Sequence, residues 1–161
     1  MSHSSPLAFP ASRIDMPEFS ELAPDVVAAM RTLSAAAAKA GIEHGLIELV
    51  KIRASQINGC AFCVQYHLML AEKHQVPREK LDLVVVWREV AMFSPRERAA
   101  LAWTEALTLV AQGVDTDLYN EVRTQFSEKE IVYLSSAIAA INAWNRFGAA
   151  LQWTPPARKA T

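Results

Sequence analysis

Only two cysteines occur in the 161 residues, and both fall in one C-x-x-C, Cys60-Ala61-Phe62-Cys63. A secreted disulfide scaffold spreads several pairs over distant loops. A bridge across three residues closes almost no chain, so this pair reads as chemistry rather than as a staple. Clustered positive charge is lacking as well: 16 Lys and Arg are scattered among 17 Asp and Glu, for a net charge of −1. That argues against a nucleic-acid or anionic-membrane partner. No apolar run approaches the ~20 residues that a bilayer requires, the longest mostly apolar stretch being 137–144. Residues 1–10 carry no basic start followed by a continuous apolar stretch, so no cleaved export signal is expected. A soluble cytoplasmic protein is expected, without nucleic acid or membrane as partner.

Strand-type alternation, a glycine-rich phosphate loop and internal repeats are also missing, and helical periodicity is what remains. With 52% apolar and 20% charged residues, the chain suits one domain with a real core. Residues 1–19, rich in Ser and Pro, read as a loose N-terminal arm, 20–153 as the helical domain and 154–161 as a flexible tail. From Leu22, apolar Val26, Met30, Leu33 and Ala37 predict a first helix that Gly41 caps. Leu46, Ile47, Val50, Ala54 and Ile57 predict a second, interrupted at Asn58-Gly59, where both residues tolerate left-handed backbone. A third runs from about 60 to 75. A fourth covers 78–92, although Val84-Val85-Val86 suits a short strand equally well. Ser94-Pro95-Arg96-Glu97 starts a fifth, ending near Gly113. A short amphipathic helix spans 115–126, and Ser127 with Glu130 opens the last, 128 to about 152. The fold class is therefore all-α, a single-domain bundle of six or seven helices. A thioredoxin host is excluded, because its C-x-x-C needs neighbouring strands.

If Cys60 begins a helix, Cys63 and His67 follow at i+3 and i+7 on one face. The helix N-terminus and an imidazole one turn along both lower a cysteine pKa from its free value of about 8.5. Glu48 lies inside Leu46-Ile47-Glu48-Leu49-Val50, where a carboxylate needs a partner. In one unbroken helix it would sit about 18 Å from Cys60, too far to help. A reversal at Asn58-Gly59 instead returns it toward Cys63 and His67. The candidate catalytic residues are thus Cys63, Cys60, His67 and Glu48. Cys63 is the expected attacking thiol through its pairing with His67, and Cys60 the more exposed resolving thiol; the helix N-terminus argues for the reverse order.

Glu48, Cys60-x-x-Cys63 and His67 together resemble the E-x(11)-C-x-x-C-x-x-x-H signature of alkylhydroperoxidase AhpD-like proteins in the carboxymuconolactone decarboxylase superfamily. The run from Ser94 to Thr108 and Ile141-Asn142-Ala143-Trp144-Asn145-Arg146 are similar to segments that follow in such proteins. The resemblance implies an all-α fold, assembly into trimers or hexamers, and thiol-dependent reduction of hydroperoxides. It implies no bound cofactor, only an external dithiol or lipoyl-type reductant. In the best-understood AhpD enzymes a second histidine precedes the second cysteine; here that position is Phe62, which removes one relay group.

Other readings stay open on the residues alone. The cysteines could be small buried hydrophobes, or metal ligands with His67 and Glu48. Glu48 could pair structurally with Lys51 or Arg53. His3 and His44 lack register with the motif and are expected to be solvated. The four tryptophans suit core or interface positions, and Tyr66 either lines the site or packs. By function, the alternatives are a disulfide reductase or electron-relay adaptor for a partner peroxidase, or a non-catalytic redox-sensing helical protein.

Overall fold

Local capping sets the ends of the longest helices. The computed structural model of the chain describes residues 11–157, and among these it contains eight α-helices, three 3-10 segments and no strand. Ser94 caps α6 (Pro95–Thr108) and Ser127 caps α8 (Glu128–Ala150), each in a reciprocal capping box with Glu97 or Glu130. The Ser127 amide, together with Arg96, holds the Glu130 carboxyl down at about 2.

The helix α3 (His44–Ile57) is the centre of the bundle. One of its faces joins Leu46, Ile47 and Val50 to Trp103 of α6 and Leu134 and Ile138 of α8. Another joins Leu49 and Ile52 to Ala71 of α4 (Ala61–Lys73), Leu81 of α5 (Arg78–Leu83) and Leu101 of α6. A helix apolar on several faces belongs inside, and each fully buried Leu or Ile stabilises the fold by roughly 1.5–3 kcal/mol. Glu48 is drawn into the interior by these neighbours.

The fold is all-α as the periodicity predicts, with one more helix than expected. Residues 12–19, read from sequence as a loose arm, are instead attached to the domain: Met16–Leu22 forms α1, and the Arg13 amide donates to the Leu151 carbonyl at 2.9 Å. Phe19 is buried, 4.9 Å from Phe147 and 5.2 Å from Trp153 between ring centroids. The tail reading also changes at its start, because the Thr154 amide donates to Asp15 at 3.2 Å. Residues 1–10 and 158–161, with His3, lie outside the described residues.

Two further boundaries moved. Pro24 begins a new helix, α2 (Pro24–Ala36), and the chain then passes through a 3-10 turn to Gly41, left-handed at φ 79° as its capping role requires. Beyond α5, residues Val84–Glu89 form a 3-10 segment broken at Val86, neither the continuous helix nor the strand considered. Three successive β-branched residues crowd a helical turn, and the looser geometry buries Val84 and Trp87 while leaving Val85 and Val86 exposed. The helix α7 (Thr116–Gln125) contributes buried Val122 to the core.

A buried amide network ties the α3–α4 connection to α8. Asn58 donates to Asn142 at 2.9 Å and to Asn145 at 3.0 Å, while Asn145 donates to Ser55 at 2.9 Å and Asn142 to Thr108 at 3.1 Å. Asn145→Ala leaves the Ser55 hydroxyl oxygen without its donor and one Asn58 side-chain N–H without its acceptor, and is expected to cost about 1–3 kcal/mol. Chemical denaturation checks this; a shift no larger than that of a neutral surface change, within about 0.5 kcal/mol, would refute it.

Candidate active site

The site is built on a reversal between two consecutive helices. Gly59 is left-handed at φ 67°, its amide donates to the Gln56 carbonyl at 3.3 Å, and the next amide, Cys60, donates to Ser55 at 3.1 Å. This is the Schellman pattern that ends α3. The same Cys60 is the N-cap of α4, its sulfur accepting the Cys63 amide at 3.3 Å. One residue thus closes one helix and opens the next, and the two helices run back along each other.

That reversal brings together all four residues singled out from sequence. Cys60 and Cys63 stand at disulfide distance, with their Cα atoms 5.3 Å apart. His67, on the same face of α4, approaches Glu48 of α3 at 2.6 Å between Nδ1 and Oε2. The second Glu48 oxygen receives Lys51 at 3.4 Å, so the structural pairing with Lys51 is present alongside the one with His67. Arg53 turns instead to Glu105 at 2.7 Å.

Exposure reverses one expectation. Cys60, expected to be the more accessible thiol, is 0% exposed and Cys63 is 4% exposed. Cys60 is held among Ala54, Ile141 and the backbone of Gly148, while Cys63 and His67 line a cavity of about 510 Å³. Phe62, standing where a relay histidine was absent from the motif, forms part of that wall and meets Trp153 edge-on at 5.4 Å. Tyr66 lines the cavity rather than packing in the core. Trp87, Trp103 and Trp153 are buried, and Trp144 is half-buried at the cavity wall.

Electrostatics assign the proton. Burial pushes the His67 imidazole below its ordinary 6.5, outweighing the raising effect of Glu48. Burial alone would raise Glu48, but the hydrogen bond and charge of His67, with Lys51, hold its carboxyl below the usual range. The pair at neutral pH is therefore a carboxylate and a neutral imidazole. A carboxylate only accepts, so Nδ1 carries the proton and Nε2 is left as an acceptor. This is a buried base oriented by a carboxylate, on the same helical face as a cysteine.

Several contributors escaped sequence reading. Gly148 lies opposite the sulfurs, where an added Cβ would stand 2.6 Å from the Cys60 sulfur and 3.3 Å from that of Cys63. A glycine inside a 23-residue helix was a visible signal, since it weakens the helix unless space demands it. Arg31, Ser34 and Met16 reach the cavity from α2 and α1, with no sequence register to the motif. His44 is exposed as expected, and stacks on His74 at 4.9 Å. Among the described residues no group of three or more His, Cys, Asp or Glu side chains is arranged to hold a metal ion, and no helix is long and apolar enough to cross a membrane.

Comparison with known proteins places this geometry. The model of the carboxymuconolactone decarboxylase family matches residues 24–106. The uncharacterized protein YdfG of Bacillus subtilis (strain 168) is 36% identical over 132 residues, covering 81% of this chain and 90% of that protein. The crystal structure of ATU0492 from Agrobacterium tumefaciens, a protein of unknown function grouped with the antioxidant defence protein AhpD, is 36% identical. It covers 92% of this chain and 100% of its own, with a TM-score of 0.86. A peroxidase-related protein from Ralstonia eutropha JMP134 with an alkylhydroperoxidase AhpD core shares the fold at 20% identity, over 86% of this chain and 75% of its own, with a TM-score of 0.77. On the family match, the relative and the shared fold, the chain belongs to the carboxymuconolactone decarboxylase family, as an AhpD-like member that carries a cysteine pair.

Proposed function

We propose that the protein is a thiol-dependent peroxidase that reduces organic hydroperoxides through Cys63 and Cys60. The observation that carries this is a cysteine and a neutral, carboxylate-oriented imidazole opening together on one cavity. His67 takes the Cys63 proton, and the thiolate attacks the terminal oxygen of the hydroperoxide. The O–O bond breaks, the alkoxide leaves as the alcohol with the proton held by His67, and Cys63 becomes a sulfenic acid. The Cys60 thiol condenses with it, releasing water and closing the disulfide.

Recovery uses the same opening. An external dithiol of the lipoyl class attacks Cys63, since Cys60 is sealed, and two exchange steps return both thiols and leave the reductant as its disulfide. Peroxide and reductant therefore use the site in turn, which predicts ping-pong kinetics. No bound cofactor is needed. A cytoplasmic setting that supplies dithiols, and a trimeric or hexameric assembly, belong to the same reading.

The test is thiol titration coupled to peroxide turnover with several dithiol donors across pH. Two thiols per chain are expected to disappear on oxidation. Because only neutral His67 can accept the thiol proton, and burial lowers its pKa, kcat/KM is expected to fall on acidification with a midpoint below the ordinary imidazole value of 6.5. Absence of dithiol-dependent turnover would reject the reading.

A second reading draws on Phe62. With an apolar ring at the relay position, the pair can serve as a disulfide reductase or electron-relay adaptor for a partner peroxidase. Turnover that appears only when such a partner is added would favour it. Reversible oxidation with no turnover under either condition would favour a redox sensor.

A further inference from the structure

The cavity beside Cys63 has a charge pattern that its redox chemistry does not use. Arg31 and Lys51 both line it, whereas no Asp or Glu does; Glu48 stands behind His67 rather than on the wall. Lys51 has only 12% of its side chain exposed, and among the described residues its one ion pair is the 3.4 Å contact to Glu48. Arg31 makes no hydrogen bond or ion pair among the described residues. With His67 neutral, Arg31, Lys51 and Glu48 leave the site with an excess of one positive charge. A cation with little solvent and one long ion pair retains capacity to pair with an anion.

The rest of the wall is apolar. Phe62, Leu70, Ile141, Trp144 and Trp153 supply most of it, and about 510 Å³ lies within the range of pockets for small organic ligands. Hydrogen peroxide or a very small alkyl hydroperoxide would leave most of that wall uncovered. A polyanion would bring more negative charge than the site can neutralise.

We propose that the cavity selects an amphipathic organic monocarboxylate, with its chain or ring against the tryptophans and its carboxylate held by Arg31 and Lys51. That the carboxylate also carries the hydroperoxide rests on the peroxidase reading; the selection of the anion does not. Lys51 thereby has two roles, steadying Glu48 and completing the anion subsite. Charge at a partly enclosed site discriminates well, because the neutral analogue leaves Lys51, which has little solvent, with only its long contact to Glu48.

The experiment compares decanoate with decanol, equal in chain length, one an anion and the other neutral, at concentrations below aggregation. Quenching of tryptophan fluorescence reports occupancy, since Trp144 and Trp153 line the cavity. The protein is expected to bind decanoate at least about tenfold more tightly than decanol, a difference of about 1.4 kcal/mol. Arg31→Met, an exposed position where folding is not at stake, should shrink the preference to about threefold or less, and Arg31→Lys should restore much of it. Equal affinity for acid and alcohol, or an undiminished preference in Arg31→Met, overturns the proposal. Binding is read without turnover, so the two conclusions fail separately. A clear decanoate preference in a protein that reduces no peroxide upholds the anion subsite and rejects the peroxidase reading. Peroxide turnover with no acid preference does the reverse.

Discussion

Cys63→Ser is expected to abolish peroxide turnover, by on the order of a thousandfold or more, while Cys60→Ser is expected to react once and stop at a sulfenic acid. The asymmetry comes from position. Cys63 is on the cavity with His67, one helical turn along the same face, whereas Cys60 is fully enclosed at the N-cap of α4. A serine hydroxyl at 63 is far too weak an acid for a neutral imidazole to activate toward peroxide, and the remaining Cys60 cannot meet the substrate. Removing Cys60 leaves the attacking sulfur intact but deprives it of a resolving thiol. Peroxide consumption and mass measurement after trapping with a sulfenic-acid-selective nucleophile separate the cases: one equivalent consumed and one trapped for Cys60→Ser, none for Cys63→Ser. The opposite pattern would exchange the two roles and support the helix N-terminus as the dominant activator of Cys60.

Gly148→Ala is expected to destabilise the protein by about 1–3 kcal/mol and to cut turnover at least about tenfold. In an ordinary helix interior this substitution gains up to about 1 kcal/mol, so its sign here is decided by what faces the glycine, the Cys60 sulfur first and the Trp153 ring beside it. The new methyl would stand 2.6 Å from the Cys60 sulfur and 3.2 Å from Trp153. A cysteine side chain has one torsion with which to retreat, and that of Cys60 is engaged by the Cys63 amide. Either the two cysteines are displaced or α8 moves, and α8 also carries Asn142 and Asn145 against the reversal. Thermal unfolding of Gly148→Ala in the normal and Cys60→Ala backgrounds, with turnover read in the normal background, tests the cause. The methyl should become harmless or stabilising once the sulfur is gone, and a loss of the same size in both backgrounds would place the clash elsewhere.

How much of this was legible beforehand depended on how local each signal was. The capping boxes at Ser94 and Ser127 and the glycine-marked ends at Gly41 and Gly59 were readable because each concerns residues within four positions. The failures were not local. Residues 12–19 looked like an arm because the segment holds Ser and Pro with little periodicity; the partners that bury Phe19, Phe147 and Trp153, lie at the other end of the chain. The Val84–Glu89 segment looked helical by period, but the burial of Trp87 and its hydrogen bond to Glu105 at 2.9 Å settled a looser backbone.

The candidate site divides in the same way. The order of Glu48, Cys60, Cys63 and His67, together with Asn58-Gly59, was enough to require a reversed pair of helices, because an unpaired carboxylate in an apolar run and a dithiol at a helix start each demand a neighbour. Sequence alone therefore determined the all-helical class, the four residues and the turn that unites them. Only the tertiary structure decided which sulfur faces the cavity, that His67 is a neutral base with its proton on Nδ1, and that Arg31 and Lys51 charge the wall. Those properties depend on exposure and on distances between helices. Exposure is fixed by what packs across from a residue, and for Cys60 that is Gly148, 88 positions away along the chain.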